Sequence, residues 1–113
     1  MTPELKAQWI TALRSGKYKQ GKRVLRNEKE EFCVLGVLCD IVDPGGWFGP
    51  VEWKPIEESA STYPKVYLFG GLSGLPRNAK FDLSNLEMAI LACLNDLEGK
   101  SFGELADYIE VTL

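Results

Sequence analysis

The sequence predicts an α+β fold of four helices, with residues 32–42 as the central buried helix and a small antiparallel hairpin or sheet from the middle of the chain. The helices are predicted by apolar residues at helical spacing behind helix-start signals, and by one internal run that is apolar on nearly every side. The hairpin is predicted by short apolar and aromatic runs within the glycine- and proline-rich residues 47–80. With 113 residues, of which 45% are hydrophobic, we expect a single domain over residues 1–113.

The first helix is predicted from about Pro3 to Ser15. Thr2 can cap the helix, and proline suits its first position. Gly16 supplies a natural stop. The residues that would face the core recur at helical spacing, and they are Leu5, Trp9, Ala12 and Leu13.

The run over residues 32–42 is predicted to be the second helix and the centre of the core. Its apolar residues leave no polar face, so the other elements must enclose it. The run ends at residues 43–46, Asp-Pro-Gly-Gly, which is a typical helix stop. Before it, residues 24–26 suit a brief strand and residues 27–31 a charged turn.

The middle of the chain is predicted to hold two short strands, over residues 51–54 and 65–69, on either side of a polar loop at residues 57–62. Long connecting regions rich in glycine and proline often carry the binding surface of a small domain. Binding specificity is therefore expected within residues 47–80.

The last two helices each begin with a capping-box signature, in which a serine is followed three residues later by a glutamate. The first signature is Ser84 with Glu87, and the second is Ser101 with Glu104. Residues 95–100 join the two helices, and we expect a helical hairpin.

The cysteines and the hydropathy predict a cytoplasmic protein. Cys33, Cys39 and Cys93 are odd in number and have apolar neighbours, as is usual for reduced core cysteines. No apolar run approaches the roughly 20 residues that span a bilayer, and the N-terminus lacks the pattern of a secretory signal. We expect no membrane partner.

The familiar enzyme templates are missing from the sequence. There is no histidine, so catalytic triads with an imidazole base are excluded, as are mixed cysteine and histidine zinc sites. No phosphate-binding loop or dinucleotide fingerprint is present. Cys33 could be a nucleophile near a helix start, but its apolar neighbours and the lack of a base favour a buried apolar role. Four carboxylates could in principle hold magnesium, namely Asp40, Asp96, Glu104 and Asp107. Capping and turn roles already explain two of these, Asp96 and Glu104. We predict no metal or cofactor, and binding rather than catalysis.

The strongest functional signal is a basic segment over residues 14–26, which has six basic residues and no acid within a chain of net charge −3. Cations interleaved with an aromatic and an amide can hold a phosphate and stack a base. A solvated, charged connector is the alternative. The candidate binding residues in this segment are Lys17, Tyr18, Lys19, Gln20, Lys22, Arg23 and Arg26.

A second polar pair, Asn95 and Asp96, completes the candidate site. Turn chemistry could explain both residues, because each can bond its own backbone. If they lie against residues 17–26, an internal structural ion pair is another explanation.

Several segments resemble a family of small uncharacterised proteins of bacteriophages and prophages. They read ALRSGKYKQG at residues 12–21, CVLGVLCD at residues 33–40, and LND with SF-x-ELADYI between residues 94 and 109. The resemblance covers residues 8–42 and 90–110. Many members have a second cysteine directly after the one that matches Cys33, where this chain has Val34. This departure argues against a role that needs two adjacent thiols.

The resemblance implies no particular activity, but it implies a phage-type accessory protein. We expect it to act by binding, as in host takeover or inhibition of bacterial defence. Its partner would be a host protein, a nucleic acid or an anionic nucleotide-like ligand. The alternatives are a small enzyme of unfamiliar type that uses Cys33 or the carboxylates, and a virion component or scaffold that forms homo-oligomers.

Overall fold

The computed structural model describes residues 1–49, 52–53 and 83–113. These residues form four α-helices, namely α1 (Pro3–Arg14), α2 (Val34–Val42), α3 (Asn85–Asp96) and α4 (Phe102–Thr112). No helix in these ranges is both long and apolar enough to cross a membrane. The predicted α+β class, with four helices around a central buried one, is confirmed.

Two short pairs of strands complete the described fold. β1 (Lys19–Gln20) pairs with β2 (Glu31–Phe32) in parallel, and β3 (Trp47–Phe48) pairs with β4 (Glu52–Trp53) in an antiparallel hairpin. The strand predicted at residues 51–54 thus contains β4, but β4 pairs with β3. The other predicted strand, at residues 65–69, and the loop at 57–62 lie outside the described residues. The parallel pair corrects the expectation of purely antiparallel pairing.

α1 begins and ends as its sequence predicts. The Thr2 hydroxyl accepts a hydrogen bond from the Leu5 N–H at 3.1 Å, and the helix stops at Arg14 before Gly16, whose φ is +76°. Its buried face places Trp9 against α2, where the indole N–H donates to the Val34 carbonyl at 3.0 Å. α1 packs mainly on α4.

α2 begins two residues later than predicted. Phe32 belongs to β2, and Cys33 is the N-cap, with its Sγ accepting from the Gly36 N–H at 3.4 Å. A Cβ on Gly36 would lie 1.8 Å from the Leu25 carbonyl oxygen, so only glycine lets α2 approach this backbone so closely. Residues 34–39 are buried, and α2 contacts both α1 and α3.

α3 and α4 begin at the two predicted capping boxes, both of which form completely. In each box the serine hydroxyl accepts from the N–H of the glutamate, and that carboxylate accepts from the N–H of the serine. Gly99, with φ of +66°, turns the chain between the two helices. The buried core draws on all four helices, and its fully buried large side chains are Trp9, Leu25, Leu35, Leu38, Leu91, Leu105, Ile109 and Val34.

Candidate binding surface

Tyr18 faces the interior of the protein. Its hydroxyl donates to Asp40 Oδ2 at 2.7 Å, and its ring packs edge-on against Phe32 with the centroids 5.0 Å apart. Burial, and then the hydrogen bond to Asp40, raise the pKa of Tyr18 well above its ordinary value. The other oxygen of Asp40 accepts from the Trp47 indole N–H at 2.9 Å. Tyr18 therefore joins the basic segment to α2, and its hydroxyl is committed to Asp40 within the fold.

Gln20 is also tied into the fold. Its side-chain amide donates to Asn95 Oδ1 at 2.9 Å and to the Lys100 carbonyl at 2.7 Å. Both amide hydrogens are thus used within the protein, and they link β1 to the end of α3 and to the last residue before the N-cap of α4.

Asn95 is fully buried in the last turn of α3 and is the centre of this polar network. Its Oδ1 accepts from Gln20 and from the Val34 N–H at 3.2 Å, while its Nδ2 donates to the Gly21 carbonyl at 2.9 Å. Nδ2 also donates to Asp96 Oδ1 at 2.8 Å. Asn95 satisfies the first N–H of α2, which has no partner within its own helix. A ligand could not reach this side chain without opening the core.

Asn95 and Asp96 belong to α3 rather than to a turn, so the turn explanation is wrong for both. The expectation that they could lie against the basic segment holds for Asn95, through hydrogen bonds rather than an ion pair. The second oxygen of Asp96, Oδ2, is buried without a hydrogen-bond partner.

The two ends of the basic segment are also engaged. Arg14 pairs with Asp107 at 2.7 Å and Glu110 at 2.8 Å on α4, and the hydrogen bonds to these carboxylates raise the pKa of Arg14. The guanidinium of Arg26 lies 4.3 Å from the centre of the Trp47 ring and donates to the Gly49 carbonyl at 3.3 Å. This is a cation–π contact that attaches the end of the segment to β3.

Four cations of the segment remain on the outside. They are exposed, and none of them forms an ion pair with another residue of the described part of the chain. We call them the outer cations, and they are Lys17, Lys19, Lys22 and Arg23.

An open groove of about 450 Å³ adjoins the first outer cation. Among the described residues that line it, Lys17 is the only charged one. The others come from one side of α1 and the residues after it: Ala7, Gln8, Thr11, Ala12, Ser15 and Tyr18. In the described part of the chain, the groove beside α1 thus carries one positive charge and no acid.

Cys33 lies in an environment that opposes nucleophilic chemistry. It is 1% exposed, and burial raises its pKa to about 12. Burial likewise raises the pKa of Cys39 well above its ordinary value. Because the thiolate is the reactive form of cysteine, neither residue is activated at neutral pH.

The four carboxylates considered for magnesium have separate structural partners or positions. Asp40 accepts from Tyr18 and Trp47, Asp96 accepts from Asn95, Glu104 caps α4, and Asp107 pairs with Arg14. Within residues 1–49, 52–53 and 83–113, no group of three or more cysteine, aspartate or glutamate side chains is placed to hold a metal ion.

The fold and this surface define a small α+β protein with exposed cations in one short segment that an internal polar network holds to the core. Over residues 1–113 the chain matches a family described as a domain of unknown function (DUF8296), and it belongs to that family. No curated protein and no solved structure matches the chain.

Proposed function

We propose that this protein is a phage-type accessory protein that acts by binding an anionic partner in the cytoplasm of a bacterial host. The partner is a nucleic acid, a nucleotide-like ligand or the acidic surface of a host protein, and the binding serves host takeover or inhibition of defence. The observation that carries the proposal is the set of outer cations, which are exposed and have no ion-pair partner among the described residues, while their neighbours Tyr18 and Gln20 are held inside.

Arg14 is an example of a cation with a structural role in this protein. Two carboxylates of α4 accept hydrogen bonds from it, and this pairing connects α1 to α4. The outer cations have no comparable contact with the described residues. Since the whole chain has a net charge of −3, they stand out as a local positive surface that can steer an anionic partner to one place.

The placement in a bacterial cytoplasm is supported by the cysteines and by the sequence resemblance to phage and prophage proteins. Cys33, Cys39 and Cys93 are all unpaired, and the first two are buried. Unpaired core cysteines suit a reducing compartment.

The test is a capture experiment from bacterial lysate with the tagged protein. The eluate would be analysed by native mass spectrometry, peptide identification and ultraviolet absorbance ratio. We expect one stoichiometric partner, and we expect it to be lost in the variant Lys19→Glu/Arg23→Glu, because reversing two outer cations repels an anion.

The matched control is Lys29→Glu, which reverses an exposed lysine in the turn before β2. This control should capture the partner as the parent does. Equal capture by parent and double variant would contradict the proposed surface. If native mass spectrometry showed oligomers of several sizes of this protein and no partner, the proposal as a whole would be contradicted and the scaffold alternative favoured.

A further inference from the structure

Residues 22–24, which we call the basic bend, lie between two firmly held residues. On one side, the Gly21 N–H donates to the Phe32 carbonyl at 2.7 Å, and the Gly21 carbonyl accepts from Asn95 Nδ2 at 2.9 Å. On the other side, the Leu25 carbonyl accepts from the Cys33 N–H at 3.1 Å, and the Leu25 side chain is fully buried. Both ends of the bend are therefore fixed to the core.

The position of Gly21 is also fixed by its neighbour Glu31. A Cβ on Gly21 would lie 2.9 Å from Glu31 Cβ, so the two strands approach too closely for any other residue. The carboxylate of Glu31 accepts from the Asn27 side-chain amide at 2.7 Å. This bond commits one oxygen of Glu31 to the turn over residues 27–31.

Between these anchors the chain bends at Arg23. Arg23 has a φ of +73°, in the left-handed region that non-glycine residues adopt uncommonly. The backbone N–H groups of Lys22, Arg23 and Val24 donate to no acceptor in the described part of the chain. The side chains of Lys22 and Arg23 are exposed. Three successive N–H groups and two exposed cationic side chains thus occur within three residues whose neighbours on both sides are fixed to the core.

We propose that the basic bend binds a phosphate group, and this inference rests on the proposed function because it names the ligand chemistry of the same surface. Successive N–H groups in a bend with a left-handed residue can form a concave anion site. Lysine and arginine add charge-assisted hydrogen bonds to the same anion. The anchored ends hold this arrangement in place before the ligand arrives, which lowers the entropy cost of binding.

The chemistry favours phosphate over a carboxylate partner. A phosphate monoester carries up to two negative charges and three terminal oxygens, whereas a carboxylate has one charge and two oxygens. The bend offers three backbone donors and two cationic side chains, which match the larger number of acceptors. The phosphate can come from a free nucleotide or from the backbone of a nucleic acid.

The test is a titration of the ¹⁵N-labelled full-length protein with inorganic phosphate, followed by amide chemical shifts at constant ionic strength. We expect the amides of Lys22, Arg23 and Val24 to shift most and to share one saturation curve. No shift at these amides, or equal shifts at the exposed Lys29 and throughout the chain, would overturn the proposal.

Two variants separate the roles of side chain and backbone. Arg23→Gly keeps the left-handed conformation and the N–H groups but removes a cation, and Lys22→Gln removes the other cation. Each variant should weaken phosphate binding by about fivefold, the loss expected for one exposed charge contact. Lys29→Gln is the control and should bind phosphate as the parent does. Unchanged affinity in both bend variants would count against the site.

Two further probes distinguish the sources of the phosphate. Adenosine monophosphate supplies a monoester, and a short oligothymidylate without terminal phosphates supplies only diesters. Either probe supports the proposal by shifting the same three amides, and the tighter one identifies the source. If phosphate and both probes leave these amides unshifted while Lys19→Glu/Arg23→Glu still loses its captured partner, the proposed function stands and only this inference fails.

Discussion

Residues 17–23 contain two sets of side chains with different roles. Polar side chains that face inward alternate with cations that face outward. Tyr18 and Gln20 donate to Asp40 and Asn95, and these hydrogen bonds connect the stretch to α2 and α3. Lys17 and Lys19, their immediate neighbours, are exposed and have no ion-pair partner among the described residues.

The alternation follows from the backbone. In β1 successive side chains point to opposite sides, so Lys19 is exposed and Gln20 is half-buried. A stretch that looks uniformly basic in the sequence is therefore divided into a side that holds the fold and a side that is available to a partner. Changes on the inner side should alter stability, and changes on the outer side should alter binding.

The largest expected loss of stability is at Gly36 in α2, which packs against the backbone that follows the basic bend. Gly36→Ala would place a methyl group 1.8 Å from the Leu25 carbonyl oxygen, so α2 must move away from the chain that follows the basic bend. We expect the free energy of unfolding, measured by chemical denaturation, to fall by more than about 3 kcal/mol.

Gly103→Ala is the matched control for Gly36→Ala. A Cβ at Gly103, in the first turn of α4, meets only Ser101 Oγ at 3.8 Å, which is an ordinary contact. Because alanine has the higher helix propensity, this variant should gain about 0.5 kcal/mol. Similar losses in both variants would contradict the close packing of α2 on Leu25.

The next largest effect should come from Asn95→Ala. The change removes a buried side chain with four hydrogen bonds and leaves the Val34 N–H and the Gly21 carbonyl without their partner. We expect a loss of about 3 kcal/mol in the free energy of unfolding, since each buried polar group left unpaired costs about 1–3 kcal/mol. A loss below about 1 kcal/mol would show that the network does not hold β1 to α3.

A smaller effect is expected for Tyr18→Phe, which removes the hydroxyl that donates to Asp40 and keeps the ring against Phe32. The free energy of unfolding should fall by about 1.5 kcal/mol, the usual value for a hydrogen bond to a charged group. Tyr108→Phe is the control, because the half-buried Tyr108 makes no side-chain hydrogen bond within the described residues. Equal losses in the two variants would show that the bond to Asp40 does not stabilise the fold.

The helix boundaries of this protein could be predicted well from sequence where the signal is local. The capping boxes at Ser84 and Ser101 depend on residues three positions apart, and both form as predicted. The start of α2 was missed by two residues because Phe32 pairs with Gln20 in a parallel strand. Such pairing depends on where a distant segment lies, and the apolar run itself carries no sign of it.

The candidate site shows the same division. The exposure of Lys19, Lys22 and Arg23 agrees with what a charged run implies. The burial of Asn95 could not be predicted, because its partners Gln20, Gly21 and Val34 are 61 to 75 positions away in the sequence. From sequence alone, a polar pair between two helices predicts turn residues, and only the long-range contacts show that Asn95 is buried.

The most direct test of the account compares adjacent residues of β1, Lys19→Ala and Gln20→Ala, in parallel unfolding and partner-capture experiments. Gln20→Ala should lower the free energy of unfolding by about 1.5 kcal/mol through its lost bonds to Asn95 and the Lys100 carbonyl, and it should still capture the partner. Lys19→Ala should change stability by less than about 0.5 kcal/mol and should weaken capture. Equal destabilisation by the two variants, or undiminished capture by Lys19→Ala, would contradict the division of this segment into a structural side and a binding side.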